Sequence, residues 1–294
     1  MRKFFSFLTL AVLLLVSSLS IYSTSDAKSD DIPRGQKIQE AKDYIENNVS
    51  ELTQKLNDLR NEDNLSMEKI EETIETHYEN NPAPSFMEND KNLSIKDVFP
   101  KKAKKAKENN GKVLNMNELT NEAKKGETPT DGNVITLNYN NGVANIFISE
   151  TGDFYITEHK TVEPEDGTIT TFDNNTDTKR TGASAYNALG TRMFSMWSEG
   201  AFSYDGDSVD VASKDGDWQR SFGGSTLYIE ERGVGKGRNV VEGDYEYAEV
   251  YTRLYYEAGF GIKWAMITLN SSTVETYVGS TVAGSTYGGA QHVF

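Results

Sequence analysis

Aromatic residues are concentrated in one part of this chain, and that constrains its fold more than any other feature. All three Trp, 12 of the 15 Tyr and 8 of the 13 Phe lie after Thr130. Aromatic and β-branched enrichment with frequent Gly marks sheet-forming sequence. Roughly 160 residues are enough to enclose one independent core. The preceding stretch is polar and highly charged, with few aromatics. Such a chain does not alternate strand and helix along its length. The expected class is α+β, an N-terminal helical region followed by an antiparallel β-sandwich or barrel-like domain.

The first part reads as helix. Ile38, Ala41, Ile45, Val49, Leu52, Leu56 and Leu59 recur at spacings of three and four, which puts them on one stripe of a helix from about Gln36 to Arg60. A second helix is expected from Ser66 to Tyr78, with Ile70, Ile74 and His77 on one side, ended by the prolines at 82 and 84. Together they make residues 28–80 a helical hairpin or short coiled coil. Residues 81–132 read as a Lys-rich flexible linker. Its cluster from Lys101 to Lys107 has three readings: a processing site, a tether to an anionic wall polymer, or a solvated spacer.

Residues 133–294 carry the strand signals. Asn140-Asn141-Gly142 between two apolar runs is a hairpin turn. Further strands are expected at 154–162, 168–172, 191–204, 208–213, 225–231, 246–256, 260–270 and 273–278. Gly233-Val234-Gly235-Lys236-Gly237 reads as a mobile loop, because the spacing of a phosphate-binding loop is missing.

The N-terminus has the form of an export signal. Arg2 and Lys3 precede an apolar run from Phe4 to Val16, and small residues Ser25 and Ala27 stand where a signal peptidase reads. Cleavage is expected after Ala27, giving a secreted, extracellular protein with no transmembrane anchor in the mature chain. The chain has no Cys, which excludes disulfides, thiolate catalysis and zinc–thiolate sites. A net charge of −15 repels phosphate backbones, so nucleic acid is not an expected partner. The absence of Cys also points by association to a Gram-positive source.

Tyr186-Asn187-Ala188-Leu189-Gly190, then Met193, Trp197 and Phe202-Ser203-Tyr204-Asp205-Gly206, resembles a segment of uncharacterised exported proteins of Bacillus and relatives. The resemblance covers about residues 184–270. It implies an exported aromatic- and Gly-rich β-domain and supplies no catalytic residue.

No catalytic motif stands out. The three His, at 77, 159 and 292, lie in separate segments without metal-ligand spacing. Calcium is the candidate ion, and no other cofactor is expected. Asp173, Asn175 and Asp177 offer oxygens at alternate positions, and Asp205 and Asp207 form another acidic turn, although Asp, Asn and Gly also simply make turns. Trp218, Tyr255 and Tyr256 are the binding candidates, while Trp197 and Trp264 read as core. The expected function is a β-rich extracellular module that binds an unidentified extracellular or cell-wall ligand, with no enzyme mechanism evident. One alternative is an antimicrobial or toxin-like effector whose first half is cut off near the lysine cluster, leaving the run from Val278 to Gly289 as a membrane-active or assembly segment. Another is a glycan-active hydrolase built on paired carboxylates.

Overall fold

Among the described residues eleven strands follow five α-helices, in the order that the aromatic gradient demands. The computed structural model describes residues 32–108, 113–115, 132–163, 175–221, 224, 226–243, 245–258, 264–265 and 272–293. The leader with Ala27 and the candidate Asp173 lie outside the described residues, as do the expected strand at 168–172 and most of that at 260–270. The helices are α1 (Arg34–Asp58), α2 (Met67–Asn80), α3 (Ser85–Asn89), α4 (Ile95–Val98) and α5 (Pro100–Glu108). The strands are β1 (Val113–Asn115), β2 (Gly132–Tyr139), β3 (Gly142–Ser149), β4 (Phe154–Thr161), β5 (Lys179–Tyr186), β6 (Arg192–Tyr204), β7 (Val209–Arg220), β8 (Leu227–Glu242), β9 (Tyr245–Ala258), β10 (Ser272–Thr281) and β11 (Thr286–Val293).

Two antiparallel sheets result. One has six strands in the order β2-β3-β4-β5-β6-β7, the other five in the order β1-β11-β10-β9-β8, and neither closes on itself. Alternation decides which face each residue takes. On the six-stranded sheet, Ile135, Leu137, Ile146, Ile148, Phe154, Ile156 and Tyr186 meet Leu52, Leu56, Ile70 and Ile74 of the helices in one core. On its other face, Tyr155, Ala183, Ala185, Phe194 and Met196 meet Leu254, Tyr256, Val274 and Ala290 of the five-stranded sheet. The layers are therefore helices, six-stranded sheet, five-stranded sheet. Pro33–Phe294 groups as one unit.

The helical layer is keyed into the β part rather than resting beside it. Tyr78 stacks on Phe154 at 6.2 Å, and Phe154 on Tyr186 at 4.5 Å, with all three rings nearly parallel. Trp264 donates its indole N–H to the Met87 carbonyl at 2.7 Å, so it is buried as expected but also joins α3 to the far end of the chain. Gly190 has φ +74°, and a Cβ there would lie 2.2 Å from the Tyr78 ring. A left-handed backbone and an occupied Cβ position both require glycine here. Gly190→Ala is expected to cost about 1–3 kcal/mol, read as a lowered urea midpoint. An unchanged midpoint would show that Tyr78 does not press on this turn.

Residues 81–108, expected as flexible linker, hold three short helices. Phe86, Met87, Leu93 and Ile95 are all at most 3% exposed. Two of these helices are too short to show a period, so the anchoring residues were not legible as a pattern. The lysine run lies on α5, with Ala103 buried and Lys102 paired to Glu150.

One strand is unforeseen, and one other expectation is corrected. β5 was missed because its sequence, Lys-Arg-Thr-Gly-Ala-Ser-Ala-Tyr, carries small residues where strands usually carry branched ones. The loop expected at 233–237 lies inside β8, where the register slips at Gly233 and again before Lys236. Glycine inside a strand marks such bulges. The C-terminal Gly/Ser/Thr/Tyr run is the hairpin of β10 and β11, so its Gly content serves close packing: a Cβ at Gly288 would lie 2.2 Å from the Thr181 hydroxyl.

Candidate functional site

Nothing among the described residues covers the outer face of the five-stranded sheet. Its inner face takes Ala248, Val250, Thr252, Leu254 and Tyr256 from β9, all at most 1% exposed. Strand alternation then sends Tyr247, Glu249, Tyr251, Arg253 and Tyr255 outward. Glu275 and Tyr277 of β10, Tyr287 and Gln291 of β11, and Arg238 of β8 share that face by register.

Charges on this face are tied to one another. Arg238 donates to Glu249 at 2.7 Å through Nε, and to Glu275 at 2.9 and 3.2 Å through its two terminal nitrogens. Arg253 donates to the same Glu275 at 2.6 Å, and Gln291 at 3.1 Å. Both carboxylates are buried beneath these partners, and burial raises the strength of charge-assisted bonds. The paired acids raise Arg238 above its already high range, against an opposing effect of burial that is the largest single contribution. Tyr251 lies under both guanidiniums, 4.6 Å from Arg238 and 5.2 Å from Arg253.

Tyrosines finish the face. The Tyr287 ring meets Tyr247 at 6.0 Å and Tyr277 at 6.3 Å, both edge to face. Its hydroxyl donates to Glu249 at 2.8 Å. Burial first and the Glu249 charge second push the Tyr287 phenol well above its ordinary range, so it remains a donor. It also lies over Gly279, its cross-strand partner, filling the space a side chain would take. A groove of about 630 Å³ runs beside Tyr247, Tyr277 and Tyr287, and a second of about 330 Å³ beside Arg232 and Arg253. Gln291 lines both, so the two are neighbours on this face.

The sequence candidates divide. Tyr255 lies on this face, with Arg232 4.4 Å over its ring. Tyr256 does not: it is 1% exposed and packs 5.6 Å from Phe194 between the sheets, so it is core rather than binding surface. Adjacent strand residues point to opposite faces, so the Tyr255–Tyr256 pair could never serve one ligand. Trp218 donates its N–H to Glu231 at 2.7 Å and packs against the inter-sheet core, away from the grooves. Trp197, expected as core, is half-buried on the other sheet's outward face with Arg180 4.2 Å over its ring. The Arg238–Glu249–Glu275–Arg253 network was missed, although the alternation Glu-Val-Tyr-Thr-Arg in β9 signals an outward polar row.

The acidic turns serve the backbone. Asp205 accepts from the amides of Asp207 at 2.9 Å and Ser208 at 2.7 Å, which holds its carboxyl below the usual range. Asp177 lies 3.7 Å from Lys179, and Asn175 forms an isolated bridge with Ser203. No group of three His, Asp or Glu among the described residues is placed to hold a metal ion. No helix among them is long and apolar enough to cross a membrane.

His77 is fully buried. Lys55 Nζ stands 3.1 Å from Nδ1. Lysine only donates, so Nδ1 accepts and the ring proton sits on Nε2, which has no partner. Burial first and Lys55 second lower its proton affinity, against a weaker opposing pull from Glu51. Burial first and Lys179 second do the same at His159. A folded-state value below the unfolded one, about 6.5, means the unfolded chain binds more protons as pH falls. Stability is then fully present above that value and lost below it, by at most about 1.4 kcal/mol per pH unit for each His. Denaturant midpoints at several pH values between 7.5 and 5.5 are expected to fall with pH, and the slope to shrink in His77→Gln. A flat profile would contradict the burial of both rings.

No family model matches this chain, no curated protein matches it, and no solved structure matches its fold. The segment from Tyr186 to Gly206 has a structural role here. Asn187 Oδ1 accepts the amides of Leu189 and Thr191 to make the turn at Gly190, and Phe202 and Val209 are core.

Proposed function

We propose that this protein is an exported binding module, with a sandwich-like β part, that takes an uncharged, hydroxyl-rich polymer such as a cell-wall or surface glycan on the outer face of its five-stranded sheet. The carrying observation is the row of tyrosines beside two neighbouring grooves, with the charged groups already paired. From Tyr247 to Tyr255 the face runs roughly 26 Å along β9, long enough for a chain rather than a single ring. Aromatic rings stack on the apolar faces of sugars, and carboxylate, amide and guanidinium groups fix their hydroxyls. Because Arg238 and Arg253 are engaged with Glu249 and Glu275, the face offers hydrogen bonds without a surplus of charge for an ionic ligand. The export signal and the resemblance to exported Bacillus proteins support placing the polymer outside the cell.

Pull-down on insoluble cell-wall polysaccharides, followed by titration with soluble fragments, tests this reading. Tyr247→Ala and Tyr277→Ala are each expected to weaken binding at least about tenfold, while Tyr287→Phe, which keeps the ring, weakens it less. Equal binding by all three variants would remove the tyrosines from the site.

The hydrolase reading finds its paired acids in Glu249 and Glu275, but both are held by one arginine and sit beneath it. That favours recognition over proton transfer on this face.

A further inference from the structure

A third cavity lies on the opposite side of the molecule, on the outward face of the six-stranded sheet beside the start of α2. Register explains its origin. Glu158, Gly182 and Trp197 stand side by side across β4, β5 and β6, flanked by the row Ile156, Ser184, Ser195 and the row Lys160, Arg180, Glu199. The only position in this array without a side chain is its centre, Gly182. The hole above it measures about 210 Å³, about seven waters' worth of space. Met67 and Glu71 of α2 and Arg192 of β6 complete its wall.

Gly182 is not forced to be glycine by its backbone or by crowding. It has no positive φ, and a Cβ there would meet nothing closer than 3.7 Å. Its lack of a side chain leaves room rather than relieving strain. Most groups around that room are firmly held. Glu158 accepts from Tyr139 at 2.6 Å and from Lys160 at 3.1 Å. Arg180 donates to Glu199 at 2.6 Å and its guanidinium covers one face of Trp197. One opposite pair is loose: Arg192 and Glu71 stand 3.5 Å apart, beyond hydrogen-bond length for a charged pair, with side chains 42% and 36% exposed. The hydroxyls of Ser184 and Ser195 are engaged by no side chain among the described residues.

We propose that this cavity binds a free α-amino acid as its zwitterion. The ammonium sits against Glu71 and Glu158, and the carboxylate against Arg192 with the serine hydroxyls. The side chain lies over Gly182 toward Ile156 and Met67. A zwitterion replaces one loose ion pair with two close ones and leaves the net charge of the cavity unchanged. A sugar ring fits this cavity less well, because Arg180 already covers a face of the one indole available for stacking. Burial raises the Glu71 carboxyl above its ordinary range, against the pull of Arg192; an arriving ammonium, like Arg192, favours its charged form. This site is independent of the tyrosine face.

Calorimetric titration of the full chain with each standard amino acid tests the assignment, with glucose and the α-amide and N-acetyl forms of the best binder as controls. At least one amino acid is expected to bind one-to-one, and each blocked form at least about tenfold more weakly. Arg192→Gln and Glu71→Gln are each expected to lose at least about tenfold, and Gly182→Ser to abolish binding by filling the floor. All three should keep the parent's thermal midpoint within about two degrees, which separates loss of the site from loss of the fold. The assignment is overturned if no amino acid binds at about 10 mM, if the amide or N-acetyl form binds as well as its parent, if Arg192→Gln leaves affinity unchanged, or if glucose binds in competition with the best amino acid.

Discussion

A chain that begins at residue 109, without α1 to α5, is expected not to fold. The helices bury Leu52, Leu56, Leu59, Leu65, Ile70 and Ile74 against the six-stranded sheet. At about 1.5–3 kcal/mol per large apolar side chain, their loss removes on the order of 10 kcal/mol. The total stability of a domain is only about 5–15 kcal/mol. The cut also uncovers Ile135, Leu137, Ile146, Ile148 and Phe154, all at most 1% exposed in the whole protein. A contiguous apolar face of that kind drives association. Expression of the shortened chain should give aggregate, or a dye-binding species without cooperative unfolding. A soluble monomer with a sharp transition would contradict the shared core, and would revive the effector reading, in which the first half leaves at the lysine cluster. That reading also meets a local obstacle: the lysines lie on α5, and a helix must unwind before a protease can take it as an extended segment.

Glu275→Ala is expected to cost about 3–5 kcal/mol, because removing this buried charge leaves Arg253 and Gln291 without their acceptor and Arg238 with Glu249 alone. Glu275 is 2% exposed and takes hydrogen bonds from Arg238, Arg253 and Gln291. Without it two guanidiniums face each other across a half-buried cleft. Glu275→Gln should cost less, since it keeps an acceptor and the shape. Equilibrium denaturation of both variants measures the difference. A loss below about 1 kcal/mol for Glu275→Ala would place the network in the weak class of exposed ion pairs, and would weaken the view that this face is pre-organised for a ligand.

The sequence carried the large divisions and lost the details for identifiable reasons. The stripe from Ile38 to Leu59 is long and strictly periodic, so α1 was legible to within two residues. The hairpin of β2 and β3 followed from Asn140-Asn141-Gly142. Short elements failed. α3 and α4 bury Phe86, Met87 and Ile95, but a single turn shows no period. The middles of β5 and β11, Thr-Gly-Ala-Ser-Ala and Gly-Gly-Ala, are small, which lets the two sheets approach, and small residues carry no strand signal alone. The candidate face was half legible. Tyr255 was singled out for its ring, and its neighbour Tyr256 came with it, although strand alternation forbids both from one surface. Glu249 and Glu275 are 26 residues apart in sequence, and only the β9–β10 register brings them under one guanidinium. Gly182 gave no signal, because the meaning of a missing side chain depends on its neighbours in the sheet.

Chemical-shift mapping during titration with a soluble cell-wall glycan fragment tests the central claim most directly. The binding-face account predicts shifts in the amides around Tyr247, Tyr251, Tyr277, Tyr287 and Gln291, with Tyr256 and Trp218 little changed. Shifts confined to the six-stranded sheet or the helices, or none at saturating fragment, would contradict it.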